Sequence, residues 1–128
     1  MAAYSAAVLE RVRNPQRVGA LPEAPEVGTG EAGSLESGTL ARIQVRLQHG
    51  RIVEARFKVF GCSAAIAATS LVTEWLEGGS LEDAGRMTAE GVVEQLALPE
   101  ERAHVAGVAV EAARQAVRDV SERAGQQS

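Results

Sequence analysis

The chain holds a single cysteine, Cys62, in 128 residues. One thiol excludes an intrachain disulfide framework and any centre that draws several cysteines from one chain. Aromatic residues are also scarce, limited to Tyr4, Phe57, Phe60 and Trp75, so the core must be built from Ala, Val, Leu and Ile. Lysine occurs once, at Lys58, beside an otherwise all-arginine basic set, which reads as composition bias. No Lys/Arg cluster exists and the net charge is −4, which argues against a nucleic-acid surface. No apolar run approaches the ~20 residues of a membrane span, and the N-terminus lacks the apolar stretch of a signal peptide. These absences predict a soluble, cytoplasmic protein. The length is that of one domain, and no internal repeat interrupts it.

What is present is organised around Phe57-Lys58-Val59-Phe60-Gly61-Cys62-Ser63-Ala64-Ala65-Ile66-Ala67. It reads as a strand passing through a glycine into a helix, with the cysteine at the junction. Upstream, Tyr4 to Arg13 reads as a short helix with Val8, Leu9 and Val12 at helical spacing, closed by Asn14-Pro15. From Asn14 to Gly38, prolines and glycines predict a long irregular segment. Thr39 to Leu47 alternates, with Ile43, Val45 and Leu47 on one face and Arg42, Gln44 and Arg46 on the other. Ile52 to Phe60 repeats the pattern, with Val53, Ala55, Phe57 and Val59 inward. Gln48-His49-Gly50-Arg51 forms the hairpin turn between them. One face is polar throughout, so the sheet is expected to be solvated on that side.

Downstream of Cys62 the pattern is helical. Ala64, Ala68, Leu71, Val72 and Trp75 make one stripe, ended by Gly78-Gly79. Ser80 with Asp83, and then Thr88, are caps for two short helices. Pro99 opens a last helix that buries Val105, Val108, Ala109, Ala112, Ala116 and Val120. An α+β fold follows, a small antiparallel β-sheet packed on one face by helices. Residues 1–120 form a single domain, and residues 121–128 a polar, frayed tail.

Cys62 is the first candidate for chemistry. A helix start aims backbone N–H groups and the positive end of the dipole at the thiol, which favours the thiolate. It is a candidate nucleophile, persulfide carrier or metal ligand; its bland alternative is a small buried apolar residue. His104 falls in the first turn of the last helix, where the dipole favours the neutral imidazole that binds metals. Its alternative is a helix-surface histidine. His49 sits in the turn and faces solvent. Gly28-Thr29-Gly30 with Gly33 resembles no phosphate loop, and no paired-carboxylate or Ser/His/Asp constellation is present.

From Tyr4 to Val120 the chain resembles the iron–sulfur cluster assembly scaffold family, the IscU type that also forms the N-terminal domain of NifU proteins. Tyr4-Ser5, Asn14-Pro15 and Arg17-Val18-Gly19 are similar to its opening. Val27-Gly28-Thr29-Gly30 and Ser37-Gly38-Thr39 resemble its first ligand loop. The run Ala55-Arg56-Phe57-Lys58-Val59-Phe60-Gly61-Cys62 into Ala65–Leu76 is close to a family signature, and Leu96-Ala97-Leu98-Pro99 with His104 resembles its last ligand segment.

The resemblance implies the same α+β fold and a task. A cysteine desulfurase delivers sulfur, iron is added, and a [2Fe–2S] cluster is built on the scaffold and handed on. The family's ligands are three cysteines, an aspartate and a histidine. Here the first cysteine position is Ser37, the aspartate position Thr39 and the third cysteine position Val105, which leaves Cys62 and His104. Leu98-Pro99-Glu100-Glu101-Arg102 also departs from the family's chaperone-recognition segment, Leu-Pro-Pro-Val-Lys.

Three readings follow. The chain is an atypical, non-enzymatic scaffold that holds iron or a [2Fe–2S] cluster through Cys62 and His104, with ligands completed by a second protomer or a partner. Alternatively it is an interaction protein that binds a cysteine desulfurase or another assembly factor. The third is a thiol carrier whose Cys62 accepts a persulfide. Zinc also suits a Cys/His pair.

Overall fold

The computed structural model describes residues 4–126. The element order is α1 (Ala6–Arg13), β1 (Val27–Ser34), β2 (Thr39–Gln48), β3 (Arg51–Phe60), α2 (Ser63–Leu76), α3 (Leu81–Gly85), α4 (Ala89–Leu96), a 3-10 turn (Glu100–Arg102) and α5 (His104–Gln126). The strands form one antiparallel sheet in the order β1-β2-β3. Helices cover one face, as the alternation predicts. The core joins Ala41, Ile43, Val45, Ile52, Ala55 and Phe57 of the sheet to alanines, valines and leucines of α2 and α5.

The caps fall where the sequence places them. Ser80 and Asp83 form a reciprocal capping box, and Thr88 accepts from the N–H of Gly91. In the β2–β3 turn both His49 and Gly50 have positive φ, 51° and 76°, the handedness that suits a two-residue hairpin.

Five expectations are corrected. Residues 14–38 are not irregular throughout, because Val27–Ser34 is the full edge strand β1. Its core-facing positions carry Gly28, Gly30 and Ala32, opposite Val45, Ile43 and Ala41, so the alternation is present without a hydropathy signal. The glycines are there for the helix above them. A Cβ on Gly28 would lie 2.3 Å from the Ala116 carbonyl oxygen, and one on Gly30 would lie 2.1 Å from that of Ala112. Backbone therefore packs on backbone.

The pairing register shifts between Arg46 and Leu47. The bulge turns Val53 outward and places Ile52 in the core instead. The outer face is not solvated throughout either. Gln44 is only 2% exposed, because the segment before β1 crosses above it; its Oε1 accepts from Leu21 N–H at 2.9 Å and its Nε2 donates to Thr29 Oγ1 at 3.1 Å. Finally, Ser121 to Gln126 continue α5 rather than fray, while 127 and 128 of the expected tail lie outside the described residues. The last helix also begins at His104, Pro99 preceding a 3-10 turn instead.

Both sheet edges are closed, β1 by side chains and β3 mainly by backbone, which blocks edge-to-edge association. On β1, Asp119 Oδ2 and Gln115 Oε1 accept from the N–H groups of Thr29 and Glu31. On β3, Phe57 pairs with the backbone of Arg17 and Gly19, Ile52 with that of Gly78 and Gly79, and Ala55 N–H reaches Glu77. Among the described residues, no helix is long and apolar enough to cross a membrane.

Candidate functional site

Cys62 is the N-cap of α2, with extended backbone (φ −77°, ψ 175°). Such positions ordinarily hold Ser, Thr, Asp or Asn, whose oxygen satisfies a first-turn N–H and stabilises the helix by ~1 kcal/mol. The Cys62 side chain makes no capping hydrogen bond, so this cap contributes nothing of that kind. The thiol is free and half-buried.

Glycine sets what lies beside it. A Cβ on Gly61 would sit 3.4 Å from the Gly38 carbonyl oxygen and 3.5 Å from Thr39 Oγ1. The β1–β2 turn thus lies against the strand–helix junction, in line with the pairing of Leu40 to Phe60. Gly33, at φ +85°, closes the same turn from the other side; a Cβ there would lie 2.0 Å from the Thr39 carbonyl oxygen and 3.3 Å from Val108 Cγ1.

These close approaches give the direction of α5. Gly28 meets Ala116 and Val120, Gly30 meets Ala112 and Ala116, and Gly33 meets Val108, so α5 runs antiparallel to β1. His104 lies one turn beyond Val108, about 6 Å further along the axis. The exposed His104 and the half-buried Cys62 therefore share one end of the molecule with the β1–β2 turn.

The three positions that the resemblance sets against family ligands, Ser37, Thr39 and Val105, are taken up structurally here. Ser37 Oγ donates to Ser34 O at 2.9 Å, with Thr39 O at 3.3 Å a second acceptor within reach of the same proton, and accepts from Ser34 N–H; it locks the turn. Thr39 is 6% exposed and Val105 1% exposed, Val105 within the hydrophobic core. Among the described residues, no group of three His, Cys, Asp or Glu side chains could hold a metal ion. A [2Fe–2S] cluster takes four protein ligands, so one chain does not fit it. His49 is exposed in its turn, as expected.

Sequence reasoning missed the apolar rim of this end. Phe60 is 57% and Leu35 65% exposed. The signal was available for Phe60, which falls on the polar side of the β3 alternation. Lys58 and Arg42 face each other across β3 and β2 one row further in, and neither makes an ion pair among the described residues.

Comparison with known proteins agrees with this architecture. The family model described as the NifU-like N terminal domain matches residues 3–127. The iron-sulfur cluster assembly scaffold protein IscU of Azotobacter vinelandii is 40% identical over 125 residues, 96% of this chain and 98% of that protein. The iron-sulfur cluster assembly enzyme IscU of Drosophila melanogaster is 37% identical over 121 residues, 93% of this chain and 79% of that protein. The crystal structure of a nitrogen-fixing NifU-like protein (N-terminal) from Brucella abortus superposes with a TM-score of 0.69 at 18% identity, over 92% of this chain and 94% of that one. With the family model matched almost end to end and full-length relatives at this identity, the chain belongs to the NifU-like N-terminal domain family.

Proposed function

We propose that this protein works in iron–sulfur cluster assembly as an atypical scaffold, not an enzyme. Cys62 and His104 hold or pass on iron or a [2Fe–2S] cluster as cargo, and a second protomer or a partner completes the ligands. The observation that carries the reading is Cys62 at a helix cap that it does not cap. A residue that forgoes about 1 kcal/mol of helix stability at the end shared with His104 suits a ligand better than a packing residue. A cysteine desulfurase is the sulfur source in this reading.

The test is anaerobic reconstitution with iron, cysteine and a cysteine desulfurase, reading visible absorption and iron and sulfide per chain. A cluster spectrum that Cys62→Ala and His104→Ala each abolish supports the scaffold. Absence of iron and sulfide from the native protein rejects it. Zinc uptake alone, lost in the same two variants, would identify the pair as a zinc site and reject the cluster.

A second reading is favoured by the structural use of Ser37, Thr39 and Val105, three positions absorbed into turn and core. In it the protein keeps the family surface and binds the desulfurase as adaptor or regulator. Co-sedimentation of Cys62→Ala with the desulfurase at native affinity, without iron in either protein, would select this reading.

A further inference from the structure

We infer that the polar cavity between α1 and α2 is a binding site for a small primary amine in its ammonium form. The inference is independent of the scaffold reading, because Ser70, in the cavity wall, lies two turns of α2 beyond Cys62, about 12 Å along the axis.

The cavity holds about 210 Å³ and is lined by Glu10, Arg11, Asn14, Gln16, Ser70 and Glu74. It lies where α1 packs on α2 and stops. Asn14 is the C-cap of α1, its N–H bonded to the Glu10 carbonyl oxygen at 3.1 Å. The volume has room for about seven waters at ~30 Å³ each, and so for a ligand of a few heavy atoms.

Ser70 points to an occupant. It is only 4% exposed, and Thr69 and Thr73 on the same helix are buried with it. Thr69 Oγ1 donates to Ala65 O at 2.8 Å and Thr73 Oγ1 to Ser70 O at 2.8 Å, the back-bonding that satisfies a hydroxyl inside a helix. Ser70 Oγ makes no such bond among the described residues, and Ser70 lines the cavity instead. Buried polar groups are nearly always paired, so a hydroxyl left open beside a cavity calls for a partner inside it.

Water alone would satisfy the hydroxyl; charge selects a cation. Two carboxylates, Glu10 and Glu74, and one guanidinium, Arg11, line the cavity, which leaves a single negative charge in surplus. Arg11 is already held, Nη2 by Glu74 Oε2 at 3.0 Å and Nη1 by the Ala7 carbonyl oxygen at 3.2 Å. Glu74 Oε1 and the exposed Glu10 carboxylate lie outside every ion pair among the described residues. The carbonyl end of α1 favours positive charge as well. A primary ammonium brings one positive charge and three donors, against one surplus charge and three open acceptors, Glu10, Glu74 Oε1 and Ser70 Oγ. The donor set suits a divalent metal less well, with two carboxylates and neither imidazole nor thiol. Asn14 and Gln16 offer side-chain amides to a hydroxyl on the ligand, Gln16 Nε2 using one donor on Asn14 O at 3.3 Å.

The experiment is a titration of the isotope-labelled full chain with ethanolamine at neutral pH and constant ionic strength, read by backbone amide shifts, with tetramethylammonium and magnesium as parallel probes. The expected result is saturable shifts grouped at Glu10, Asn14, Ser70 and Glu74. Tetramethylammonium, which has the charge but no N–H donor, should give none of comparable size. Ser70→Ala should raise the dissociation constant about 2- to 10-fold, the worth of one hydrogen bond. It should keep the native melting temperature, because the hydroxyl bonds nothing in the fold. Glu10→Gln should raise the constant about 1.5- to 5-fold, the range for an exposed charge pair. Shifts that stay linear with ethanolamine concentration overturn the inference, as does an equal response to tetramethylammonium. Saturation by magnesium alone also overturns it, and so does an affinity indifferent to both substitutions. None of these outcomes bears on the scaffold reading, which stands or falls by reconstitution at Cys62 and His104.

Discussion

The backbone N–H of Ala55 donates to Glu77 Oε2 at 3.0 Å, so a carboxylate just past the end of α2 closes the open edge of β3. The same carboxylate takes Arg17 Nε at 2.9 Å and Arg56 Nη1 at 3.1 Å. Arg56 continues to Glu54, which pairs with Arg46. One side chain thus joins the segment before β1, the sheet and α2.

Glu77→Gln should cost about 1.5–3 kcal/mol at neutral pH, the range for hydrogen bonds to a charged group. Burial pushes the Glu77 carboxyl up, but the Ala55 N–H, Arg17 and Arg56 together outweigh it and hold the group below its ordinary value of 4.5. Its contribution is therefore fully present above that value and lost as pH falls through the lower, folded one. Urea titrations from pH 7 down to pH 3 should show the gap between native and variant proteins narrowing below pH ~4.5. A gap that stays constant would mean that Glu77 acts through packing alone.

Gly30→Ala should destabilise by about 3 kcal/mol, because the new methyl meets helix backbone rather than a movable side chain. Gly107→Ala, on the exposed side of α5 with nothing within 4 Å of the added carbon, should instead stabilise by ~0.5–1 kcal/mol. Thermal melts of the pair check both signs at once.

Gln44→Leu should cost about 1–3 kcal/mol although it adds an apolar side chain to a buried site. It leaves the Leu21 N–H without its acceptor and Thr29 Oγ1 without its donor. Hydrogen exchange at Leu21 should accelerate in the variant before global stability is lost.

Ser37→Cys should lose ~1 kcal/mol of stability, since a thiol is a poor replacement for the hydroxyl that closes the Ser34–Thr39 turn. It should also strengthen the thiolate-to-metal charge-transfer absorption on cobalt(II) titration, by adding a second thiol at the end that holds Cys62. An unchanged spectrum would place Ser37 out of reach of any metal bound there.

Legibility from sequence followed how local each signal is. The caps at Ser80 and Thr88 and the strands around Ile43 and Phe57 were readable because their causes lie within a few residues. β1 was not, because its core-facing glycines are explained by Ala112 and Ala116, more than eighty residues downstream. Period-two glycines between a β-forming residue and a turn were the available clue. The Val53 bulge depends on cross-strand register, which no single strand encodes. At the site, Cys62 and His104 were singled out from local context and family resemblance, whereas the second employment of Ser37 as a turn lock needed coordinates.

The packing of α5 on Gly28 and Gly30 makes that helix a rigid lever. Asp119, which clips Thr29, and His104 are roughly 22 Å apart along its axis. With glycine on the strand side of these contacts, few movable atoms lie between helix and strand to absorb a displacement, so a shift at the far end is carried along the rod. The imidazole is therefore aimed from a distance, by two residues that have no side chain and never come near it.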